Sequence, residues 1–585
     1  MRNSEQCEVR LAGETPRFTS QVNLVPFRTR KFKSPHIALV NKHLQVDGQN
    51  LLEDYAFGVA RRSEKDLFKK EYKTFFAERY GSPSSMGHGG GGRVGADVSF
   101  QVKGIGITPV VCRRGVDFCY RNGEMLLAEA IRETIWGEVF DVALPYGATR
   151  SPCAISTGTL CALPPNDVTG VKLERGLHVR ENAPRLAHFM RATYFKAQGA
   201  VQSSWPHDYE RVSVAINEMS SYLPNESIDP VHLMDAEFLK RGLTTMAERL
   251  AAQLAAARAR RLAHGALVSS NFCLDGRWID YGSAHWSPVH ATGKHFEASF
   301  WYDEKKTMTA LSDFCWQLRR HGKCKDIPHD VEWLGDDFRT ALDLRQKVEF
   351  LSLAGFSEED LVQARGVNFA AGLALGKAIF TIARAGRTER FTGEDEALGG
   401  YGDYDVSTIM ATLSVASDAV GADVMLRPLL ENERLRVQLI TAYTHFLRES
   451  LARVRHSGGD IELFRRSIIT KMLNRSAHVG LLYGACLIDD INERLESTRE
   501  KPNVRQAKMS ALLDNVRSCA GVLLSGGVTN DARLWQGAGV DSRMRIPLAN
   551  VPWSVQVHQL DAGVYPVLKD ARLAEAIAGM RMEPG

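Results

Sequence analysis

The feature that most restricts the fold of this chain is a change of hydrophobic period near residue 180. Before it, "DVSFQVKGIGITPVVCR" (97–113), "PCAISTGTL" (152–160) and "GVKLERGLHVR" (170–180) alternate or run apolar as strands do. Between them, "GEMLLAEAIRETIWGEVFDVAL" (123–144) sets Leu126, Ala130, Ile131, Ile135 and Val139 at helical spacing. From Arg185 onward the period is helical. Leu243, Met246, Leu250, Leu254 and Ala257 form one stripe that ends at Gly265, and helices are expected near 306–322, 333–353, 358–385, 428–456, 459–474 and 478–499. Breaks are expected at "TGEDEALGGYGDYD" (392–405) and "REKPNVR" (499–505), where Gly, Pro and charge collect. The pattern predicts an α/β (α+β) protein: strands, one helix and strands again, then a long helical part. The opening eighty residues read as an irregular leader with one helix at "EKDLFKKEYKTFFAERY" (64–80). The divisions expected are a leader with its flanking helix (1–86), a domain over 87–395 whose first part ends near 182 and second begins near 183, and a helical C-terminal extension (396–585).

With 585 residues, burial capacity limits nothing. Lys and Arg total 73 against 69 Asp and Glu, a dispersed net charge of +4, so bulk charge calls for neither nucleic acid nor an anionic membrane. No apolar core of about seven to fifteen residues marks a secretory signal in the first thirty, and no uninterrupted apolar run reaches about twenty. A soluble cytoplasmic protein is expected, with no membrane or nucleic-acid partner. The 10 cysteines include no C-x-x-C pair, which points to reduced thiols used for packing rather than to structural zinc or a disulfide framework.

The chemistry-bearing residues come in a fixed order. "GHGGGGRVG" (87–95) is glycine-rich before a strand, and a backbone without side chains can approach phosphate oxygens closely. Alone it also fits a surface loop, and "HGGGG" fits the oxyanion-hole stretch of some esterases; the G-x-S-x-G elbow that an esterase needs is not found. Lys103 ends the following strand and Glu133 lies in the first half of the next helix, an order that lets a carboxylate fix an ammonium against ATP phosphates. Asn271 and Asp280 flank "FCLDGRWI", two short strands closed by a turn at Asp275-Gly276, which brings two oxygen ligands to one metal-phosphate centre. "DYG" (280–282) parallels the kinase D-F-G. Immediately before the asparagine stands Ser270, where chemistry on a hydroxyl calls for a carboxylate.

These segments together resemble the selenoprotein O family of kinase-fold protein adenylyltransferases. "GGGGR" is similar to its G-D-G-R loop, "FQVKGIGITP" to L-Q-L-K-G-A-G-R-T-P, and "AIRETIWGEVF" to S-I-R-E-x-L-x-S-E-A. "LPYGATRSPCAISTG" is similar to I-P-T-T-R-A-L-x-L-V-T-x-G, and "RLAHF" to R-F-G-H-F. "HGALVSSN" with "IDYG" is similar to H-G-V-M-N-T-D-N with L-D-Y-G, at the same nine-residue step from Asn271 to Asp280. The resemblance covers about residues 87–282. A divergent branch among microcin-maturation proteins of the MchC type is at least as similar.

The resemblance implies a two-lobed, protein-kinase-like fold with an enlarged helical second lobe, and cofactors ATP and Mg²⁺ or Mn²⁺. It implies that Gly90, Gly92, Arg93 and Lys103 contact nucleotide phosphates, that Asn122 and Gly123 belong to the ATP site, and that Arg180 and Arg185 bind phosphate. Glu133 would be the partner of the lysine, Asn271 and Asp280 the metal ligands, and ATP would lie reversed so that AMP passes to a protein or peptide hydroxyl. Three positions depart: Ser270 replaces the acidic base, Gly91 the loop aspartate and Ile107 the arginine after K-G-x-G. The stretch from Lys103 to Glu133 is also longer than the family's. The expected activity is nucleotidyl transfer, and the alternative is a weakly active or inactive ATP-binding partner in maturation of a peptide such as a microcin.

Overall fold

The computed structural model describes residues 10–11 and 15–580, apart from 82–87, 113–117, 164–169, 194, 197–206, 225–235, 288–301, 323–329, 331, 365, 386–403, 500, 525–533, 537–543, 547–556, 558–559 and 563. The first part is built on one sheet. In chain order its elements are β1 (Arg10–Leu11), β2 (Leu24–Phe32), β3 (His36–Val40), α1 (Gly48–Tyr55), β4 (Phe57–Gly58), β5 (Phe68–Glu78), β6 (Val94–Ala96), β7 (Phe100–Lys103), α2 (Phe118–Arg121), α3 (Leu127–Ala143), β8 (Cys153–Leu160) and β9 (Glu174–Glu181). Eight strands run antiparallel in the order β3-β8-β9-β7-β6-β5-β2-β4, and β1 pairs with β5 in parallel.

The segment read as an irregular leader therefore supplies five strands to this sheet, and the helix expected over 64–80 is a short 3-10 turn (Arg62–Leu67) followed by β5. Alternation explains the difference. Lys73, Phe75 and Ala77 are buried at every second position, and the aromatic and β-branched residues of "YKTFF" suit a pleated surface better than a helix. The register of β2 on β5 sets Phe27 opposite Phe75 and Thr29 opposite Lys73. A second correction concerns 97–113. The hairpin lies earlier, as β6 and β7, closed by Asp97, whose Oδ1 accepts from Ser99 N and Phe100 N at 3.0 Å. Among the described residues 104–112 there is no second strand, because Gly104 (φ 91°) and Gly106 (φ 110°) turn the backbone away from an extended path.

α3 lies against β8 and β9, and both of its sides are covered, with Ile131, Ile135, Val139 and Phe140 fully buried. The helical part follows as α4 (Asp208–Glu218), α5 (Ala236–Ala259), a two-stranded pair β10 (Leu262–Ala263) with β11 (His285–Trp286), α6 (Tyr302–His321), α7 (Trp333–Leu351), α8 (Glu358–Gln363), α9 (Val367–Ala385), α10 (Val406–Val415), α11 (Ala419–Leu426), α12 (Glu433–His456), α13 (Ile461–Ser476), α14 (Cys486–Ser497) and α15 (Pro502–Leu523). Of the described helices, α9 alone is long and apolar enough to cross a membrane by length and composition, with a mean hydropathy of 1.2 over Val367–Arg384. It packs on α7 and α12.

The break expected at 499–505 is instead mostly the start of α15, with Pro502 in the first helical turn, where a missing N–H costs nothing. α14 and α15 return the chain to the first part, packing on α3, and α15 also covers β3. Arg517 forms an ion pair with Glu138 of α3, its Nε 2.7 Å from Oε2; Ser510 Oγ donates to Val40 O at 3.0 Å, and Arg505 pairs with Glu174 of β9 at 2.9 Å.

Candidate functional site

A cleft of about 550 Å³ opens between the sheet, the N-terminal half of α3 and the loop after β10. Gly90, Gly92, Arg93, Lys103, Glu133, Ser270, Asn271 and Asp280 all line it. Asn122, Gly123, Arg180 and Arg185 are not on its wall.

The glycine loop is the wall nearest the sheet. Gly90 has φ 142°, and a Cβ there would lie 1.8 Å from Glu78 O, so no other residue fits while Gly90 bridges Arg79. The N–H groups of Gly91 and Gly92 already donate, to Glu78 O and Gly90 O, at 2.9 and 2.8 Å. What those two glycines give the cleft is therefore a wall without side chains rather than free donors. Arg93 at the end of the loop donates through Nη1 to Glu124 O at 3.2 Å.

Lys103 is the last residue of β7, and its Nζ donates to both oxygens of Glu133, at 2.7 and 3.0 Å, and also to Asp280 Oδ1. Behind Glu133 stands His178, Nδ1 3.4 Å from Oε2, with Nε2 2.6 Å from Ser151 Oγ. One ammonium thus joins strand, helix and the segment after β10. Burial raises the Asp280 carboxyl, but Lys103, Arg180 and Arg185 together outweigh it and hold the group well below the usual carboxylate range. Burial raises Glu133 likewise, and Lys103 with His178 hold it below that range.

In place of the two strands expected around Asp275-Gly276 the chain forms a loop with one isolated antiparallel bridge, Phe272 with Trp278, and Asn271 and Asp280 sit at its open end. Ile279 N donates to Asn271 O at 3.1 Å, Cys273 N donates to Arg277 O at 2.9 Å, and Gly276 turns at φ 92°. Asn271 Nδ2 donates to Ala266 O at 2.8 Å, and Ser270 Oγ donates to Asn271 Oδ1 at 3.1 Å. Asp280 is left-handed (φ 72°, ψ 73°), a conformation that costs an L residue about 1–3 kcal/mol and clusters at functional sites. Among the described residues no group of three His, Cys, Asp or Glu side chains could hold a metal. One carboxylate and one amide oxygen in a cleft instead fit a hard cation that keeps water or ligand oxygens for its other positions, as Mg²⁺ does.

Arg180 and Arg185 lie behind this centre, each 1% exposed. Gln101 Oε1 accepts from Arg180 Nε at 3.0 Å and from Arg185 Nη2 at 2.8 Å, while Arg185 Nη1 donates to Ser270 O at 3.1 Å and its Nε lies 3.6 Å from Glu78. Glu78 is buried, which raises its carboxyl, yet Arg185 and His188 pull it down to about 2. Both Nη groups of Arg180 lack a hydrogen-bond partner among the described residues, leaving a buried cation with donors to spare. Asn122 and Gly123 have a structural task. Asn122 Oδ1 accepts from Glu124 N at 2.9 Å, and Gly123 (φ 74°) accepts from Gly106 N at 2.9 Å, closing the turn beyond Lys103.

Compared with models of known protein families and with characterised proteins, the chain matches none.

Several functional neighbours escape a reading of the sequence alone. Asp303, the second residue of α6, accepts from the backbone N–H groups of His264, Gly265 and Leu267 at 2.9, 3.1 and 3.2 Å, and so anchors the loop that carries Ser270 and Asn271. Nothing near residue 303 signals that role. His88 also lines the cleft; its Nδ1 accepts from Cys112 N at 2.8 Å, so the neutral ring carries its proton on Nε2. Gln101 and Arg132 lie inside "FQVKG" and "AIRET", next to Lys103 and Glu133 in sequence, and only their partners in the folded chain mark them out.

Lys103 and Glu133 form a unit, so their losses are expected to overlap. With a nucleotide in the cleft, as the sequence leads one to expect, Lys103→Ala and Glu133→Ala should each weaken its binding, and the double variant should be little worse than either single one, because contacting residues do not add. Fully additive losses in a calorimetric double-mutant cycle would show that the pair does not act together on the ligand.

Proposed function

We propose that this protein binds Mg²⁺-ATP in the cleft and transfers AMP to a hydroxyl of a protein or peptide. The observation that carries the reading is the single ammonium of Lys103 held by Glu133 and Asp280 at the foot of a side-chain-free glycine wall, with Asn271 beside it. Such an arrangement suits a polyphosphate and its cation better than an uncharged ligand. On this reading the sheet with α3 is the first lobe of a kinase-like fold and the helices from about 183 are the second, with the nucleotide between them and the protein working in the cytoplasm.

In the transfer, the acceptor oxygen forms a bond to the α-phosphorus, the bond from that phosphorus to the bridging oxygen breaks, and pyrophosphate leaves. Lys103 binds phosphate oxygens while Glu133 keeps its ammonium in place. Arg180, with unpaired Nη donors, and Arg185 supply positive charge from behind, where little solvent weakens it. Asn271 and Asp280 would hold the cation, which supplies charge neutralisation between phosphate oxygens when bound. Positioning and charge make up most of the catalysis in such a reaction.

A second reading, an ATP-binding partner without useful turnover, is favoured by one observation: the hydroxyl of Ser270 is turned to Asn271 Oδ1 and no carboxylate stands in its place. Incubation with ATP labelled on the α- or on the γ-phosphate separates the readings. Label retained on protein from α-labelled ATP alone supports AMP transfer, label from γ-labelled ATP alone means phosphorylation, and binding with neither favours the partner.

A further inference from the structure

Arg132 precedes Glu133 on α3, yet it points its guanidinium to a different partner. Its Nη1 donates to Tyr281 O at 3.1 Å and Gly282 O at 3.0 Å, and its Nη2 donates to Ala284 O at 2.5 Å. These carbonyls belong to the turn that starts at Asp280. Arg132 and Gly282 also line the cleft. A planar fork with fixed donors can hold three carbonyls of one turn at once, which a single ammonium cannot.

That turn needs holding. Asp280 is left-handed, and an aspartate persists there only if its surroundings fix it. Tyr281 fixes one side: its hydroxyl donates to Trp278 O at 2.6 Å or to Thr149 O at 2.9 Å. Arg132 fixes the other, and it does so from the helix whose next residue holds Lys103. α3 therefore sets the position of the phosphate-binding lysine and the aim of the candidate metal ligand through two adjacent side chains.

We propose that Arg132 is a positioning residue for the metal site, keeping the Asp280 carboxylate turned into the cleft so that a divalent cation binds with its phosphate ligand. The proposal rests on the reading of the cleft as an Mg²⁺-ATP site. It gives Arg132 no contact with the nucleotide, so its loss should alter the metal requirement and leave metal-free nucleotide affinity in place. Groups that orient a metal ligand change metal affinity by about 10- to 100-fold when removed.

The test is calorimetric titration of the full chain with ATP in EDTA and over a range of Mg²⁺, with thermal unfolding of each unliganded variant alongside. Wild type, Arg132→Ala and Arg132→Lys are compared. The expected result is an Mg²⁺ midpoint about 10- to 100-fold higher in Arg132→Ala, a smaller shift in Arg132→Lys, and nearly equal ATP affinity in EDTA for all three. Should Arg132→Ala be unfolded, Arg132→Lys decides alone. An unchanged Mg²⁺ midpoint in a folded variant, or a loss of ATP affinity that is the same with and without Mg²⁺, overturns the proposal. If wild type itself shows no Mg²⁺-dependent ATP binding, the reading of the cleft fails first and the role of Arg132 falls with it.

Discussion

Asp280→Ala is expected to abolish the Mg²⁺-dependent part of ATP binding. A ligand that binds only the folded state raises its stability by about 2.7 kcal/mol at a concentration of about 100 times Kd. In wild type, Mg²⁺-ATP should therefore raise the unfolding temperature above the value in ATP with EDTA, and in the variant the two should coincide. The magnitude follows from what Asp280 does: of the two candidate ligands it is the charged one, and Lys103, Arg180 and Arg185 hold it ionised. Alanine at φ 72° is also strained, so a fall in stability without ligand is expected and must be kept separate from the loss of binding. Asp280→Asn makes that separation, since asparagine tolerates the left-handed region and keeps the shape while losing the charge. A full Mg²⁺-dependent shift in either variant would rule Asp280 out as a metal ligand.

The parts of the fold legible in the sequence are those whose apolar residues recur at a clear period or in an unbroken run. α3 is the clearest: the spacing of Leu126, Ala130, Ile131, Ile135 and Val139 predicts a helix within 123–144 and the structure has it over Leu127–Ala143, while β8 and β9 fall inside the strands expected at 152–160 and 170–180 with the last extended by one residue. β5 was hidden because its period-two face includes a buried charge: Lys73 reads as solvated until Asp97, twenty-four residues on, is seen to accept from it at 2.8 Å. The return of α15 to α3 was equally hidden, since Arg517 and Glu138 lie far apart in sequence and only the folded chain pairs them.

The cleft follows the same division. Lys103, Glu133, Asn271 and Asp280 carry types and spacings that mean something locally, and the fold brings them together. Arg180 and Arg185 were placed by resemblance, and their present partners, Gln101 and Glu78, come from two other strands. Asp303 and Arg132 act on backbone carbonyls and N–H groups, which leave no mark in a sequence because every residue has them.

Ser270→Asp is expected to raise AMP transfer by about 10²- to 10⁴-fold, the usual contribution of a positioned general base. A serine hydroxyl is a poor proton acceptor at neutral pH, and here its proton is directed to Asn271 Oδ1. Wild type should nevertheless retain slow transfer, because an acceptor hydroxyl in a loose phosphoryl-transfer transition state gives up its proton late, to phosphate oxygens or water. The substitution fits the surroundings. The backbone carbonyl of residue 270 already accepts from Arg185, whose guanidinium would help keep a new carboxylate ionised, and removing the hydroxyl donor leaves Asn271 Oδ1 free for a cation. ATP affinity should change little. The measurement is incorporation of label from α-labelled ATP into the protein itself or a generic acceptor. No transfer in wild type and none restored in Ser270→Asp would leave ATP binding as the function of the cleft. Fast transfer in wild type that Ser270→Asp slows would give the serine a part in a different mechanism, since a base in its position would then hinder the step that it is meant to assist.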